Sequence, residues 1–370
     1  MNAVVDLNTV SVPDRLLATT AVALSAGVAA ADVGLSGDAR MGIAFDDAAS
    51  NKFRFDSRMR ARISFSGETD TGLAFGGNFR IDGAGNAASG NMGTTASQVF
   101  ISGEFGRLSM GDVPGAVQGA VGDLHGVGLT GLGFFNENIF FQRDFNGGVL
   151  NSSATNALYT YSIDGFTVHA SIGQLNAEFG DTGLFDTLLD LTIAEAIADA
   201  GLDPSDPADA AAITALTTAT TTAFTDEVSG DRVEMAAIGA RYEFDGFAVG
   251  AGYERAKIGS TTAGHAAIGV EGSFDMITVR ATYGRAMNDL KDVFASNNQY
   301  GISASATFDA TTVSAFARRD FFKDTHIGIG GAYDLGGGAR LVGGVRNTNF
   351  NDSDTKMSQT VADFGMAFSF

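Results

Sequence analysis

The sequence has no cysteine and no tryptophan, only 4 prolines, and only 23 lysines and arginines in 370 residues. Without cysteine there is no disulfide scaffold and no thiolate metal site. The basic residues face 43 acidic ones, which leaves a formal net charge of −20. That balance argues against a nucleic-acid partner, because phosphate backbones need a basic face. No internal stretch reaches the roughly 18 apolar residues of a membrane-spanning helix. Enzyme signatures are missing too. His125, His169, His265 and His326 are scattered without a second ligand at metal spacing. Gly83-Ala84-Gly85 does not continue into a nucleotide-binding fingerprint.

What the chain does have is 49 glycines and 29 phenylalanines, a composition that suits many short strands. The segment from Thr360 to Phe370 alternates without a slip. Ala362, Phe364, Met366, Phe368 and Phe370 share one face, and Asp363, Gly365, Ala367 and Ser369 the other. The same period of two recurs at 35–45, 53–65, 73–82, 97–105, 107–112, 156–163, 166–174, 233–244, 247–257, 266–274, 277–286, 298–308, 311–320, 325–334 and 339–347, which makes sixteen strands. Short links alternate with longer ones. Asp164-Gly165 and Asp245-Gly246 are strong tight-hairpin signals; Gly106 and Asp309-Ala310 read as equally short turns.

Ahead of this pattern, residues 1–31 read as an export signal: Arg15, an apolar run from Leu16 to Val28, and a small-residue cleavage site at Ala29-Ala30-Ala31. Asp6 and Asp14 in the leader depart from the usual pattern.

A soluble sandwich also alternates, but it does not explain regularly alternating long and short connections. A closed barrel in a membrane does. All backbone groups pair between strands, no edge meets lipid, short turns lie on one side and long loops on the other. The predicted fold is therefore all-β: a 16-stranded antiparallel transmembrane barrel over residues 32–370. One face of each strand carries Asp, Glu, Arg, Ser, Thr, Asn and Gly, and a ring of sixteen is too wide for side chains to fill. The product is a wet lumen.

The words Leu35-Ser36-Gly37-Asp38-Ala39-Arg40-Met41-Gly42, Met110-Gly111-Asp112, Tyr333-Asp334-Leu335-Gly336-Gly337-Gly338-Ala339 and the terminal Phe370 resemble, in order and spacing, the general diffusion porins of Gram-negative outer membranes, most closely their alphaproteobacterial (Rhodobacter-type) branch. The resemblance implies a homotrimer with one pore per subunit, embedded in outer-membrane lipid. It further implies a third loop folded inward to constrict the pore, and a C-terminal aromatic, Phe370, read as an assembly signal by the barrel-assembly machinery. The cargo it implies is small hydrophilic solutes and ions moving passively, with no catalysis.

The sharpest local feature is a row of arginines. Arg54, Arg58, Arg60 and Arg62 alternate along one strand, with Arg40 and Arg80 on its neighbours. Like charges this dense repel unless answered. The expectation is that Arg40, Arg58, Arg60, Arg62 and Arg80 form the basic wall of a constriction. Asp112, Asp123, Glu137 and Asp144 of the third loop (residues 113–155) would form its acidic side and set up a transverse field. Phe134, Phe135, Ile139, Phe140 and Phe141 give that loop apolar weight for packing on the inner wall.

Residues 175–232 depart from the family as an acidic insert. From Asp144 to Asp231 there are 14 acids and no lysine or arginine. It reads as an extracellular flap with a helix through Leu184–Ile197 and a second over Ala208–Phe224. Calcium binding by its acids is an open alternative, although no twelve-residue oxygen-ligand loop is present; no other cofactor or metal is expected. Two competing functions remain. A substrate-selective channel would want an aromatic slide, for which 7 tyrosines and no tryptophan offer little. An outer-membrane barrel enzyme would want a catalytic set at the rim, and none is readable.

Overall fold

A computed structural model describes residues 20–21, 32–84, 93–143, 155–176, 232–258, 261–292, 294–351 and 357–370, and most of 196–228. Its frame is sixteen strands: β1 Asp32–Asp46, β2 Phe53–Glu68, β3 Ala74–Ala84, β4 Gly93–Gly103, β5 Gly106–Gly111, β6 Thr155–Ile163, β7 Phe166–Asn176, β8 Arg232–Phe244, β9 Phe247–Ile258, β10 Thr261–Phe274, β11 Ile277–Asn288, β12 Asn298–Phe308, β13 Thr311–Arg319, β14 Thr325–Gly336, β15 Ala339–Asn349 and β16 Ser358–Ser369. Each pairs antiparallel with its sequence neighbours, and β16 pairs with β1 from Val361↔Asp46 to Ser369↔Asp38. Phe370 completes the seam: its N–H donates to the Gly37 carbonyl at 2.9 Å, and the Gly37 N–H returns to the Phe370 carbonyl at 3.1 Å. The ring is closed. The two residues Thr20–Ala21 lie beside Leu35 and Gly34. The rest of the expected export signal is outside the described residues.

Closure turns the apolar pattern inside out relative to a water-soluble protein. Phe55 is 88% exposed, Ile238 64% and Phe364 63%, all on the outer face, where lipid rather than water covers them. No helix among the described residues is long and apolar enough to cross a membrane; the strands do the crossing.

The tight turns follow their residues. Asp164-Gly165 and Asp245-Gly246 both adopt positive φ at each position, the mirror-type turn whose twist matches the flanking strands. Asp275 and Asp309 begin two further turns at φ 54° and 49°, a conformation that aspartate tolerates by bonding locally. One link is corrected. Gly106 is the first residue of β5, and the turn before it is Glu104-Phe105.

The apolar core is the third loop on the inner wall. L3, described over 113–143, opens with the helix α1, Ala116–Val121. Val117, Val121 and Phe140 pack with Ala267 of β10. Leu124, Val127 and Leu132 pack with Phe316 of β13. Val113 and Ala116 pack with Leu158 of β6. The wall beneath is paved with glycine. A Cβ on Gly239 would meet the Ala116 carbonyl oxygen at 2.5 Å, one on Gly269 the Val121 carbonyl oxygen at 2.6 Å, and one on Gly344 the Gly128 nitrogen at 2.7 Å. L3 thus lies in a track that has no room for side chains.

In the acidic insert the second helix forms as α2, Ala210–Val228. Its threonines point their hydroxyls back into the helix: Thr214, Thr218 and Thr222 each donate to the carbonyl four residues earlier. Of the first expected helix, residues 184–192 lie outside the described residues. Ile193 and Ile197 are helical.

The glycine track yields a test. Gly239→Ala forces a methyl against L3 backbone, at a cost of about 1–3 kcal/mol. The barrel should still assemble and remain heat-modifiable on gels, while single-channel conductance falls as the loop is pushed into the lumen.

Candidate functional site

L3 is held by a chain of polar anchors that runs along the inner wall. Gln142 accepts from the Ser171 hydroxyl of β7 at 2.5 Å, and Ser171 also accepts from the Ala116 N–H at 2.8 Å. Glu254 of β9, 1% exposed, accepts from the backbone N–H groups of Phe141 at 2.9 Å and Gln142 at 3.4 Å. Its Oε1 also sits 2.7 Å from His265 Nδ1 of β10. Gln299 of β12 accepts from the Ile139 N–H and donates to the Ile139 carbonyl, at 2.9 and 2.8 Å. Arg318 of β13 donates to that same Gln299 at 3.1 Å. At the tip, Asp363 of β16 receives the N–H groups of Leu129 and Thr130 and the Thr130 hydroxyl, at 2.8, 2.6 and 2.7 Å. The buried charges are costly unless paired or multiply hydrogen-bonded, and both Glu254 and Asp363 meet that condition by capturing L3 backbone.

Inside the loop, Arg143 is the hub. Its side chain, 3% exposed, forms ion pairs with Asp123 at 3.0 Å and Glu137 at 2.7 Å and donates to the Asn138 carbonyl at 2.5 Å. Arg280 of β11 adds a bond to the Asp123 carbonyl at 2.5 Å and pairs with Glu271.

The anchors lie on β7, β9, β12 and β16, so L3 covers the β7–β16 side of the lumen. The arginine row occupies the wall of β1–β3. Arg40, Arg58, Arg60, Arg62 and Arg80 do come together there. Register puts Arg40 directly opposite Arg58 and Arg62 opposite Arg80. Like charges in such positions are destabilising, and the same strands supply the remedy. Arg40 pairs with Asp56 at 2.6 Å, Arg58 with Asp38 at 2.9 Å, and Asp82 takes both Arg80 at 2.6 Å and Arg60 at 3.3 Å. Arg62 donates to Asn78 at 2.7 Å. In the middle of the wall the arginines Arg40, Arg58, Arg60, Arg62 and Arg80 outnumber the carboxylates Asp38, Asp56 and Asp82, so that part keeps a positive excess; Asp32, Asp46 and Glu68 share the face only toward the ends of the strands.

The acidic side is arranged differently from the expectation of free carboxylates answering the arginines. Asp123 and Glu137 have Arg143 as a nearer partner. Asp112 stands at the end of β5, where its N–H donates to the Ser97 carbonyl at 2.8 Å. Asp144 lies outside the described residues. The missed members are Asp38, Asp56, Asp82, Arg143, Glu254 and Asp363. The first three carried a readable signal, since acid and base stand two residues apart on one strand face in Asp38/Arg40, Asp56/Arg58 and Arg80/Asp82. Arg346 of β15 lies 4.0 Å over the ring of Phe135, 3% exposed, and so serves L3 packing. Among the described residues no three His, Asp or Glu side chains gather as a metal site would require.

A closed transmembrane barrel with a wet lumen and a loop bound along half its inner wall defines a channel protein. The comparisons agree. The pattern of the family described as Gram-negative porin matches residues 18–353. A porin of Rhodobacter capsulatus is 32% identical over 363 residues, covering 92% of this chain and all of that protein. A porin structure refined at 1.8 Å resolution superimposes with a TM-score of 0.63 at 28% identity, covering 91% of this chain and all of the other. A triple mutant of the Rhodopseudomonas blastica porin, at 22% identity and a TM-score of 0.60, shares the fold over the same 91%. The chain belongs to the Gram-negative porin family: it is an outer-membrane channel for passive diffusion.

The Arg143 hub is testable by exchange. Arg143→Met leaves Asp123 and Glu137 without their cation. Breaking a buried pair of this kind costs about 3 kcal/mol, so amide hydrogen exchange over residues 115–142 should accelerate about a hundredfold. The strands of β12–β16 should be unaffected.

Proposed function

We propose that this porin is a general diffusion channel whose narrowest passage lies between L3 and the arginine wall of β1–β3, and that it works as a homotrimer without covalent chemistry. What carries the reading is the asymmetry of the lumen. L3 is bound to β7, β9, β12 and β16, which leaves the wall with Arg40, Arg58, Arg60, Arg62 and Arg80 as the opposite bank. Asp123 and Glu137 on the loop and the positive excess on the wall supply a transverse field across that gap, weakened because both carboxylates share Arg143. Asp112, where L3 leaves the barrel, would add to the acidic bank, and Asp144 of the same loop is the remaining acidic candidate.

The field orients polar solutes instead of selecting one of them, and width sets the cut-off. The overall charge of −20 concentrates cations at the mouths, while the arginine wall opposes them inside; the balance is a mild cation preference. Phe370, exposed on the outer face and pairing at the seam, is the assembly signal for the barrel-assembly machinery. Calcium held by the acidic insert is a secondary role, and half of the insert's acids lie outside the described residues.

In planar bilayers the protein should conduct in three equal steps and run on gels as a heat-labile oligomer. Reversal potentials in a salt gradient should favour cations mildly, and Arg58→Gln/Arg60→Gln should raise that preference severalfold by removing two lumen charges. Strong anion selectivity in the native protein would overturn the assignment of charge balance; saturable conductance with one competing solute would favour a substrate-selective channel.

A further inference from the structure

Outward-facing charge is rare on this barrel and collected in one place. On the described strands the outward positions of β1–β7 and β14–β16 carry no charged side chain. By alternation those of β8–β13 carry Arg232, Glu234, Arg255, Lys257, Arg285 and Arg319, all at the loop end of the strands. Lys257 has a carboxylate, Glu234, directly opposite on the neighbouring strand. Arg255, Arg285 and Arg319 make no ion pair or hydrogen bond with a described residue. The nearby acids turn away. Glu254 and Asp320 point inward to His265 and His326, and Asp289 accepts from the Thr262 N–H above the strands.

The three arginines stand on alternate strands. Arg255 is level with Gly264 of β10, Arg285 with Ala266 of β10 and Asn298 of β12, and Arg319 with Tyr300 of β12. With strands about 4.8 Å apart, neighbouring arginines are separated by roughly 10 Å across the sheet, within joint reach of one multiply charged headgroup. Tyr253 and Tyr283 lie directly below Arg255 and Arg285 on the same strands, and Tyr300 stands beside Arg319; all three are half-exposed on the same face. Two of their hydroxyls are engaged toward the loop end: Tyr283 donates to Asn298 at 2.6 Å, and Tyr253 accepts from Asn288 at 3.3 Å. Tyrosines oriented so mark the boundary between hydrocarbon and headgroups. The arginines above and beside them are therefore at headgroup depth, in a protein whose net charge would otherwise repel anions.

We propose that the outer surface of β9–β13, at Arg255, Arg285 and Arg319, binds the phosphorylated headgroup of a glycolipid in the surrounding leaflet. Arginine recognises phosphate by charge-assisted, often bidentate bonds. The tyrosine row below offers a rigid apolar surface to the first part of the acyl chains.

The test uses the full-length protein in detergent, titrated with bisphosphorylated lipid A and with the same lipid stripped of phosphate, read by native mass spectrometry. The native protein should prefer the phosphorylated lipid by about tenfold or more, and Arg255→Ser/Arg285→Ser/Arg319→Ser should abolish that preference. Inorganic phosphate should not displace the lipid. Arg285→Ser alone, the central position, should lower the preference about threefold and guards against misfolding of the triple variant; Lys257→Ser should leave it unchanged. Conductance should stay at the native value in all four proteins, because these side chains face away from the lumen. Equal binding of the two lipids by the native protein, or an unchanged preference in the triple variant, would overturn the proposal. So would a change in oligomer size with no loss of lipid preference, which would assign the face to a second copy of the chain.

Discussion

Hydrocarbon offers no hydrogen bonds, and that constraint organises everything else in this molecule. A strand in lipid must give every backbone N–H and C=O to another strand, so the sheet can stop only where it meets its own beginning. The pairing of β16 with β1, finished by the reciprocal bonds between Phe370 and Gly37, meets that demand. Once closed, the ring encloses more space than its own side chains can fill. The polar face becomes a wet wall, and the only conventional core left to build is the one between that wall and L3.

Two kinds of electrostatics share the lumen. On the L3 side, charges are buried and used as fasteners: Glu254, Asp363 and Arg143 each bind several partners and leave little potential for solutes to feel. On the β1–β3 side, Arg80 is buried but Arg40, Arg58 and Arg60 keep part of their side chains open to the lumen. Arg40, Arg58 and Arg60 are held by carboxylates one strand across and Arg80 by Asp82 on its own strand, which keeps their heads in fixed positions without cancelling them. A rigid, incompletely neutralised wall facing a firmly fastened loop gives the passage a constant shape. That suits sieving by size better than recognition of one solute.

The strands were legible because their signal is local. Period-two alternation and Asp-Gly turns depend on near neighbours, and they located all sixteen strands to within a few residues. The inward fold of L3 was legible from five bulky apolar residues between Phe134 and Phe141. Pairing across the lumen was not. Nothing in sequence brings Asp363 to Leu129 or Glu254 to Phe141, more than a hundred positions apart; only barrel closure does. The arginine wall was readable as a set, but its partners were sought on the loop, when they are Asp38, Asp56 and Asp82 on the wall's own strand faces, mostly one strand across. The register that decides between those answers follows from strand pairing and not from composition.

The glycine track beneath L3 has a consequence for how such a channel can vary. The loop rests on bare backbone at Gly239, Gly269 and Gly344, so its height above the wall is the minimum that atoms allow. Any side chain added there works as a shim and can only narrow the bore. The aperture can thus be retuned from behind, by residues that no passing solute ever touches.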